Sequence, residues 1–405
     1  LHRFFEDPDC GALIWDKDWV KKLLIDIPKQ LNWNAMRVCV GIVPDFWYDL
    51  ADEYGMMFQN EWMYWQNHGW NEQIRKEYTD WIWNDGTHPS IVIWDAINEN
   101  WDGFIGNSLI PELKKLDQTR IWDAGYMTDE HMITDEMDEP HPYTGYLPWI
   151  SKAEFEESPY TLGNLDITDE QMLNSKAAQL VNEYGWVWLW RNGQPAKLTL
   201  DFYNYYLGEN SSPEQNREFQ AYWLQLETEW LRSEKSTAGV LAFCYLTNNY
   251  GYTGDWFIGN IKDLKPGITL EWFKHCFAPA AVFINLPDGR YNKHVKPLKP
   301  GSELNFFLYG VNDYTNETSG KIYVRLLDEK GNMVNEKEIK VTIAKGRTDF
   351  PISILLPDKS GGFLLLALFY KDDSASDPVI SRRYIKIGEN AAYNFYEYSS
   401  ENRKD

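Results

Sequence analysis

The chain has 405 residues, with 61 Asp and Glu against 39 Lys and Arg and a formal net charge of −22. That length allows one large domain plus a smaller one. The acidic residues are spread along the chain, so no basic stripe is available to neutralise phosphates, which argues against nucleic acid and anionic membranes as partners. No apolar run reaches membrane-spanning length. Cys10, Cys39, Cys244 and Cys276 contain no CxxC pair and outline neither a zinc site nor a disulfide framework. The outlier is aromatic content, with 20 Trp, 25 Tyr and 19 Phe. Most of these rings are expected in cores, and the remainder suits a carbohydrate cleft, where aromatic faces stack on sugar C–H surfaces.

Up to about residue 280, strand-like and helix-like segments alternate. The spacing predicts an amphipathic helix from Asp16 to Asn32, capped by Asp16 and kinked or ended by Pro28. Strand 35–42, helix 44–53 closed by Gly55, strand 56–62 and helix 71–83 follow. Next come strand 91–97, helix 108–116, strand 120–125 and strand 132–134, then an irregular acidic stretch to His141-Pro142-Tyr143. Helix 169–178, strand 179–182, the long helix 213–233, strand 239–246 and helix 269–277 complete the series. Repeated strand–helix units with apolar strands predict a parallel sheet covered by helices. Seven strands are countable, so a (β/α)8 barrel would have its first strand just upstream of Leu1, and the chain, which opens without an initiator Met, is expected to be a piece of something longer.

After Phe277-Ala278-Pro279 the pattern becomes alternating short strands, at 281–286, 304–311, 320–328, 336–343, 363–370 and 379–387. These predict an antiparallel β-sandwich of immunoglobulin-like type. The expected organisation is therefore α/β, with a barrel over 1–282, the sandwich over 283–392 and a polar tail over 393–405.

Two stretches carry chemistry. Ile91-Val92-Ile93-Trp94-Asp95-Ala96-Ile97-Asn98-Glu99 is an apolar strand ending in Asn-Glu, and Gln179-Leu180-Val181-Asn182-Glu183-Tyr184-Gly185 repeats the design. Glutamates at the carboxyl ends of two buried strands are what a retaining glycosidase needs, one as acid/base and one as nucleophile, about 5 Å apart across the anomeric carbon. Glu99 is the expected acid/base, kept protonated near neutral pH by Trp94 and Trp101. Asn98 is expected to donate to the sugar 2-hydroxyl. Glu183 is the expected nucleophile, held ionised by Tyr143 and Arg37. His141, Glu61 and His88 are further candidate substrate-binding residues, with Trp256 and His2 weaker ones. Trp62, Trp65, Trp101 and Trp186 are expected to converge above the glutamates and stack on the sugar. Neither a metal constellation nor a cofactor motif emerges, and His68 and His131 lack spaced partners.

With these residues in place, the chain resembles glycoside hydrolase family 2, of the retaining clan with (β/α)8 barrels. Asn34-Ala35-Met36-Arg37 resembles the family's second strand, and Phe46-Trp47-Tyr48-Asp49-Leu50-Ala51-Asp52-Glu53-Tyr54-Gly55 the helix after it. His88-Pro89-Ser90-Ile91 through Asn98-Glu99 resembles the acid/base strand, and Asn182-Glu183-Tyr184-Gly185 the nucleophile strand. The resemblance implies a barrel flanked by β-sandwich domains, with any leading ones outside this chain. Three places depart from the pattern. Val38-Cys39-Val40 stands where a histidine is common, and Trp83-Asn84-Asp85-Gly86-Thr87-His88-Pro89 replaces Arg-x-x-Asn-His-Pro. Leu241-Ala242-Phe243-Cys244-Tyr245 lacks the expected eighth-strand tryptophan. No Asn-x-Lys-Gly of the glucuronidase type is present, so no sugar specificity carries over.

Three functions remain open: an exo-acting retaining β-glycosidase, an endo-glycanase of the same clan, and an inactive carbohydrate-binding protein on a glycosidase scaffold. Each takes a carbohydrate partner. The sequence carries no reading of oligomeric state, and its compartment is open, a secreted or periplasmic setting being compatible with it.

Overall fold

The computed structural model describes residues 1–65, 68–125, 137–143, 177–234, 237–372 and 377–393. The chain divides into two compact units. One comprises Leu1–Tyr143, Asp169–Asn192 and Ser236–Lys265; the other comprises Thr144–Thr168, Gly193–Lys235 and Pro266–Asp405.

The first unit is built on seven parallel strands among the described residues: β1 (Ala35–Val38), β2 (Met57–Glu61), β3 (Ile91–Asp95), β4 (Ile121–Asp123), β5 (Met137–Asp138), β6 (Ala178–Val181) and β7 (Thr237–Val240). They form two runs, β1-β2-β3-β4 and β5-β6-β7, parallel throughout. Leu1 and His2 lie between the ends of this series. His2 bridges Cys39 in parallel, the Cys39 N–H donates to Leu1 O, and the His2 N–H donates to Leu246 O.

Local chemistry sets the helices. Asp16 caps the first by accepting from the Asp18 and Trp19 amides. The helical path continues through Pro28 to Gln30, with a π-turn at Lys22–Asp26 just before it. A wider turn ahead of proline accommodates its ring and missing N–H, so the kink is absorbed rather than terminal. The same device recurs at Ile105–Leu109 before Pro111, which is why that helix begins earlier than the sequence predicted. Asp45–Tyr54 ends on Gly55 in the left-handed conformation, φ 74°. The expected strand 132–134 and most of the expected helix 169–178 lie outside the described residues.

The second unit holds two antiparallel sheets. One has the order β12-β9-β8 (Gly346–Leu355, Glu303–Asn312, Ala280–Asn285); the other has β11-β10-β13-β14 (Met333–Ile343, Thr318–Leu327, Gly361–Lys371, Val379–Ile387). Alternate residues such as Val282, Ile284, Phe306 and Leu308 meet Ile322, Val324, Leu365 and Phe369 in one apolar core. The sequence reading missed β12 because Pro351 sits inside it, paired with Phe307. That strand is a sheet edge, the one place where a missing ladder N–H is tolerated. The helix Leu200–Leu207 was also missed.

The helix Pro213–Ser233 opens with the Ser212/Gln215 capping box and is buried along most of its length, polar residues included. Its acids find partners on β14: the Tyr384 hydroxyl donates to Glu218 at 2.5 Å, and Ser381 Oγ donates to Glu229 at 2.9 Å. Burial pushes Glu229 up to about 7, against the opposing pull of Arg383. A carboxyl whose folded pKa lies above its unfolded value contributes most stability below the unfolded pKa and loses it as pH rises through the folded one. Stability should therefore fall between pH 5 and pH 8, and Glu229→Gln should reduce that fall by roughly 1–3 kcal/mol. Urea denaturation at the two pH values measures it; an unchanged difference would remove the assignment.

Candidate active site

The exits of β1 to β6 deliver one connected polar cluster. Strand alternation points Arg37, Gln59, Glu61, Asp95 and Asp123 inward, and each is buried. Arg37 is the hub. Its Nη1 donates to Glu183 Oε1 at 2.5 Å and its Nη2 to Asn98 Oδ1 at 2.9 Å. Nη2 also pairs with Glu61 Oε2 at 2.5 Å, while Nε lies 3.4 Å from Asp95 Oδ2.

Glu183 is almost wholly buried. Burial opposes its ionisation, but the charges of His141 and Arg37 and the Tyr143 hydroxyl outweigh it and hold the carboxyl below the usual range. The Tyr143 hydroxyl donates to Glu183 Oε2, and Cys39 Sγ lies 3.7 Å from Oε1.

Glu99 sits where β3 turns out of the sheet. Its Oε2 accepts from Trp65 Nε1 at 3.1 Å, and its Oε1 lies 3.1 Å from His141 Nδ1. Oxygens of Glu99 and Glu183 lie within 4.8 Å of each other, with His141 Nδ1 in the same group. Glu99 and Val40 are both left-handed, φ 43° and 48°, a conformation costly for a β-branched residue and kept only where surroundings enforce it. At Val40 the restraint is visible, because its N–H donates to Glu61 Oε1 at 2.6 Å.

The structure thus brings together Glu99, Glu183, Asn98, Arg37, Glu61, His141, Tyr143 and Trp65. Trp186 joins them indirectly, its ring edge-on to Tyr143 at 5.2 Å. Other expectations are corrected. Trp62 packs on Tyr78 and Trp81 at 5.0 and 5.2 Å, because its side chain turns to the helix Asn71–Asp85 rather than to the carboxylates. His88 lies before β3, at the end opposite Glu99, and hydrogen-bonds Asp52 at 2.7 Å. Trp256 is a core ring against Trp33. Trp94 stacks on Trp122 and donates to Asp117, so it does not shield Glu99. Trp101 is 66 % exposed. His2 packs edge-on to Phe243 at 4.9 Å, and burial lowers it to about 3.

Sequence reasoning missed the layer beneath. Gln59 Nε2 faces Asp95 Oδ2, Glu139 Oε2 and Asp123 Oδ2 at 2.9, 3.0 and 3.4 Å. Burial, with Glu139 and Glu61 nearby, raises Asp95 well above the carboxylate range. Glu139 moves the other way: burial opposes its ionisation, but a hydrogen bond from Asp123 and the charge of Arg37 hold it low. The available signal was the acidic or amide residue at alternate positions of apolar strands, in Phe58-Gln59-Asn60-Glu61 and Ile121-Trp122-Asp123. Asp95, Asp123 and Glu139 bring oxygens within 4.8 Å, a donor set able to take a cation, and the Gln59 amide already occupies its middle.

Parallel strands alternate with helices in the manner of a (β/α)-barrel, and two carboxylates face each other at strand exits over a buried arginine. Residues 13–139 match the family model "Glycosyl hydrolases family 2, TIM barrel domain", so this segment is similar to the barrel domain of that family. A curated β-galactosidase of Photobacterium profundum is 28 % identical over 132 residues, 30 % of this chain and 12 % of that protein. A putative β-glucuronidase of Formosa agariphila is 27 % identical over 130 residues, 28 % of this chain and 12 % of its own length. The matched segments thus span about an eighth of these relatives. Among solved structures, a β-D-mannosidase of Dictyoglomus thermophilum shares the fold with TM-score 0.62 at 17 % identity, over 94 % of this chain and 49 % of that one. An exo-chitosanase of Amycolatopsis orientalis does so with TM-score 0.61 at 13 % identity, over 93 % and 47 %.

Two substitutions test this geometry. Trp62→Leu should cost about 2–4 kcal/mol of stability, as a buried ring removed from a packed cluster does, while leaving KM within about twofold; a rise in KM without loss of stability would restore Trp62 to the cleft. Tyr143→Phe removes a donor to an ionised carboxylate, so kcat should drop roughly 10- to 100-fold. The acid limb of the pH profile should move upward because Glu183 is then easier to protonate. A limb that stays in place would separate Tyr143 from Glu183.

Proposed function

We propose that this chain carries the catalytic centre of a retaining β-glycosidase that releases a terminal β-linked sugar from an oligo- or polysaccharide through a covalent glycosyl-enzyme intermediate. The observation that carries the reading is the approach of Glu99 and Glu183 oxygens to within 4.8 Å. Retaining enzymes hold their carboxyls about 5–5.5 Å apart, and inverting ones leave roughly 6.5–9.5 Å for a water. The barrel is proposed to cover residues 1–282, with 283–392 an immunoglobulin-like sandwich and 393–405 a polar tail.

In the first step Glu183, held ionised, attacks the anomeric carbon while the Glu99 carboxyl gives its proton to the departing oxygen. In the second, the Glu99 carboxylate takes a proton from water, the hydroxide oxygen bonds the anomeric carbon, and Glu183 leaves as a carboxylate. The two inversions give net retention. Arg37 fixes the Asn98 amide through its oxygen, which turns the Nδ2 donor toward a sugar hydroxyl. Trp65, 44 % exposed and bonded to Glu99, is the ring best disposed to meet a sugar face. The relatives named above act on different sugars, so the identity of the sugar belongs to experiment.

The test is hydrolysis of a panel of aryl β-glycosides by the full-length protein, with the anomeric product followed by NMR. Glu183→Ala should lower kcat on the order of 10⁴-fold. Glu99→Ala should cost about 10²–10⁴-fold on poor leaving groups and little on activated aryl glycosides. An inverted product would refute the mechanism, and a wild-type protein that binds sugars but turns over no substrate would leave a binding function instead.

A further inference from the structure

We propose that His141 is a positioning residue: a buried imidazolium set between Glu99 and Glu183 that accompanies the site's negative charge as it passes from one carboxylate to the other. The inference rests on Glu183 acting as nucleophile and Glu99 as acid/base, and it adds a role that neither carboxylate reveals by itself.

Geometry and the surrounding charges together favour a charged ring. The His141 side chain is fully buried, with Nδ1 3.1 Å from Glu99 Oε1 and 3.7 Å from Glu183 Oε2. On the far side of the ring, Nε2 lies 2.8 Å from Asn182 Oδ1 and 3.1 Å from Glu139 Oε1. These are acceptor oxygens at both nitrogens. Glu183 and Glu139, both held ionised, face opposite nitrogens of the ring, which favours a proton on each; Nδ1 can then donate to Glu183 or to the carbonyl oxygen of a protonated Glu99. Burial works against that charge, but Glu183, Glu139 and Glu99 overcome it and raise the ring to about 10. Arg37 stands 3.9 Å from Glu139, and the Tyr143 ring lies edge-on to His141 at 6.2 Å.

Charge counting then gives the role. In the resting site Glu183 is −1 and Glu99 is a neutral acid. In the glycosyl-enzyme Glu183 is a neutral ester and Glu99 is −1. The pair carries the same charge throughout, but its position moves. Arg37 and the Tyr143 hydroxyl contact Glu183, so they favour the resting end. Trp65 gives Glu99 a neutral donor. His141 Nδ1 is within reach of both oxygens, so a small tilt about the Nε2 anchor keeps a cation beside whichever carboxylate is ionised. Stabilisation that follows the developing charge lowers the barrier instead of deepening the ground state.

The experiment is the pH profile of kcat/KM for His141→Gln and His141→Asn in the full-length protein, with an aryl β-glycoside that it turns over. Removing a cation shared by both carboxylates should move both limbs of the bell upward, each by about one pH unit, and lower kcat by tenfold or more. Glu139→Gln keeps the ring but removes its anchoring acid, so its bell should shift the same way by less. If the two histidine variants fail to fold, as melting would reveal, Glu139→Gln decides by that shift alone. A bell that stays in place while activity falls means packing only and overturns the proposal; so does movement of one limb alone. Glu99→Ala in the same assay isolates the underlying reading. If it loses the basic limb and regains turnover with added azide, the carboxylate pair stands and a stationary histidine bell refutes His141 alone. If it does neither, the assignment of Glu99 itself fails.

Discussion

Everything at the carboxyl ends of the strands depends on one buried cation. Arg37 is 4 % exposed and spans the exits of β1, β2, β3 and β6 through Glu61, Asp95, Asn98 and Glu183. Taking a guanidinium out of water costs several kcal/mol, recovered only if its donors are matched by well-placed acceptors. Arginine suits this place because its planar fork serves several acceptors at once and does not give up its proton. Once it is there, the acids around it must hold their positions, and the orientation of Glu183 follows from the barrel's own stability.

The same constraint accounts for the layer below. Arg37 and His141 stand against Glu61, Asp95, Asp123, Glu139 and Glu183, more acid than two cations can neutralise. Buried carboxylates in that position share protons or take donors, and both happen here. Asp95 is pushed up by burial beside Glu139 and Glu61, Glu61 is pushed up to about 7 by burial against Arg37, and Gln59 offers its amide to three oxygens. Such a network is stiff, because any single displacement strands a buried charge. It can enforce the left-handed turns at Val40 and Glu99 that aim the strand exits.

Much of this was legible in one dimension. The alternation of apolar strands with amphipathic helices gave the parallel sheet, Asp16 and Gly55 marked helix ends, and the two strand-terminal glutamates stood out because each follows an apolar run. Arg37, Tyr143 and His141 were readable as partners from their places after strands. The failures have equally local causes. Pro28 was expected to kink or end its helix because proline is costly inside one, whereas a π-turn relieves the clash. Pro351 concealed β12 because edge position is a property of the sheet. Trp62 was expected in the cleft because it leaves its strand at the face of the two glutamates, and Trp94 was expected to shield Glu99, but their rings turn to Tyr78 and Trp81 and to Trp122.

The sequence by itself determined the periodicities, and with them the class of fold, the strand exits and the two carboxylates, because those depend on interactions between residues close in the chain. Tertiary structure alone decided which groups surround each carboxylate. Glu139 reaches His141 across two residues, but His141 reaches Glu99 across 42 and Glu183 across 42, and Arg37 reaches Glu183 across 146. Ionisation depends on the cube of space around a group and not on its place in the chain. The charge states that would make one glutamate an acid and the other a nucleophile therefore exist only once the barrel has closed around Arg37 and His141.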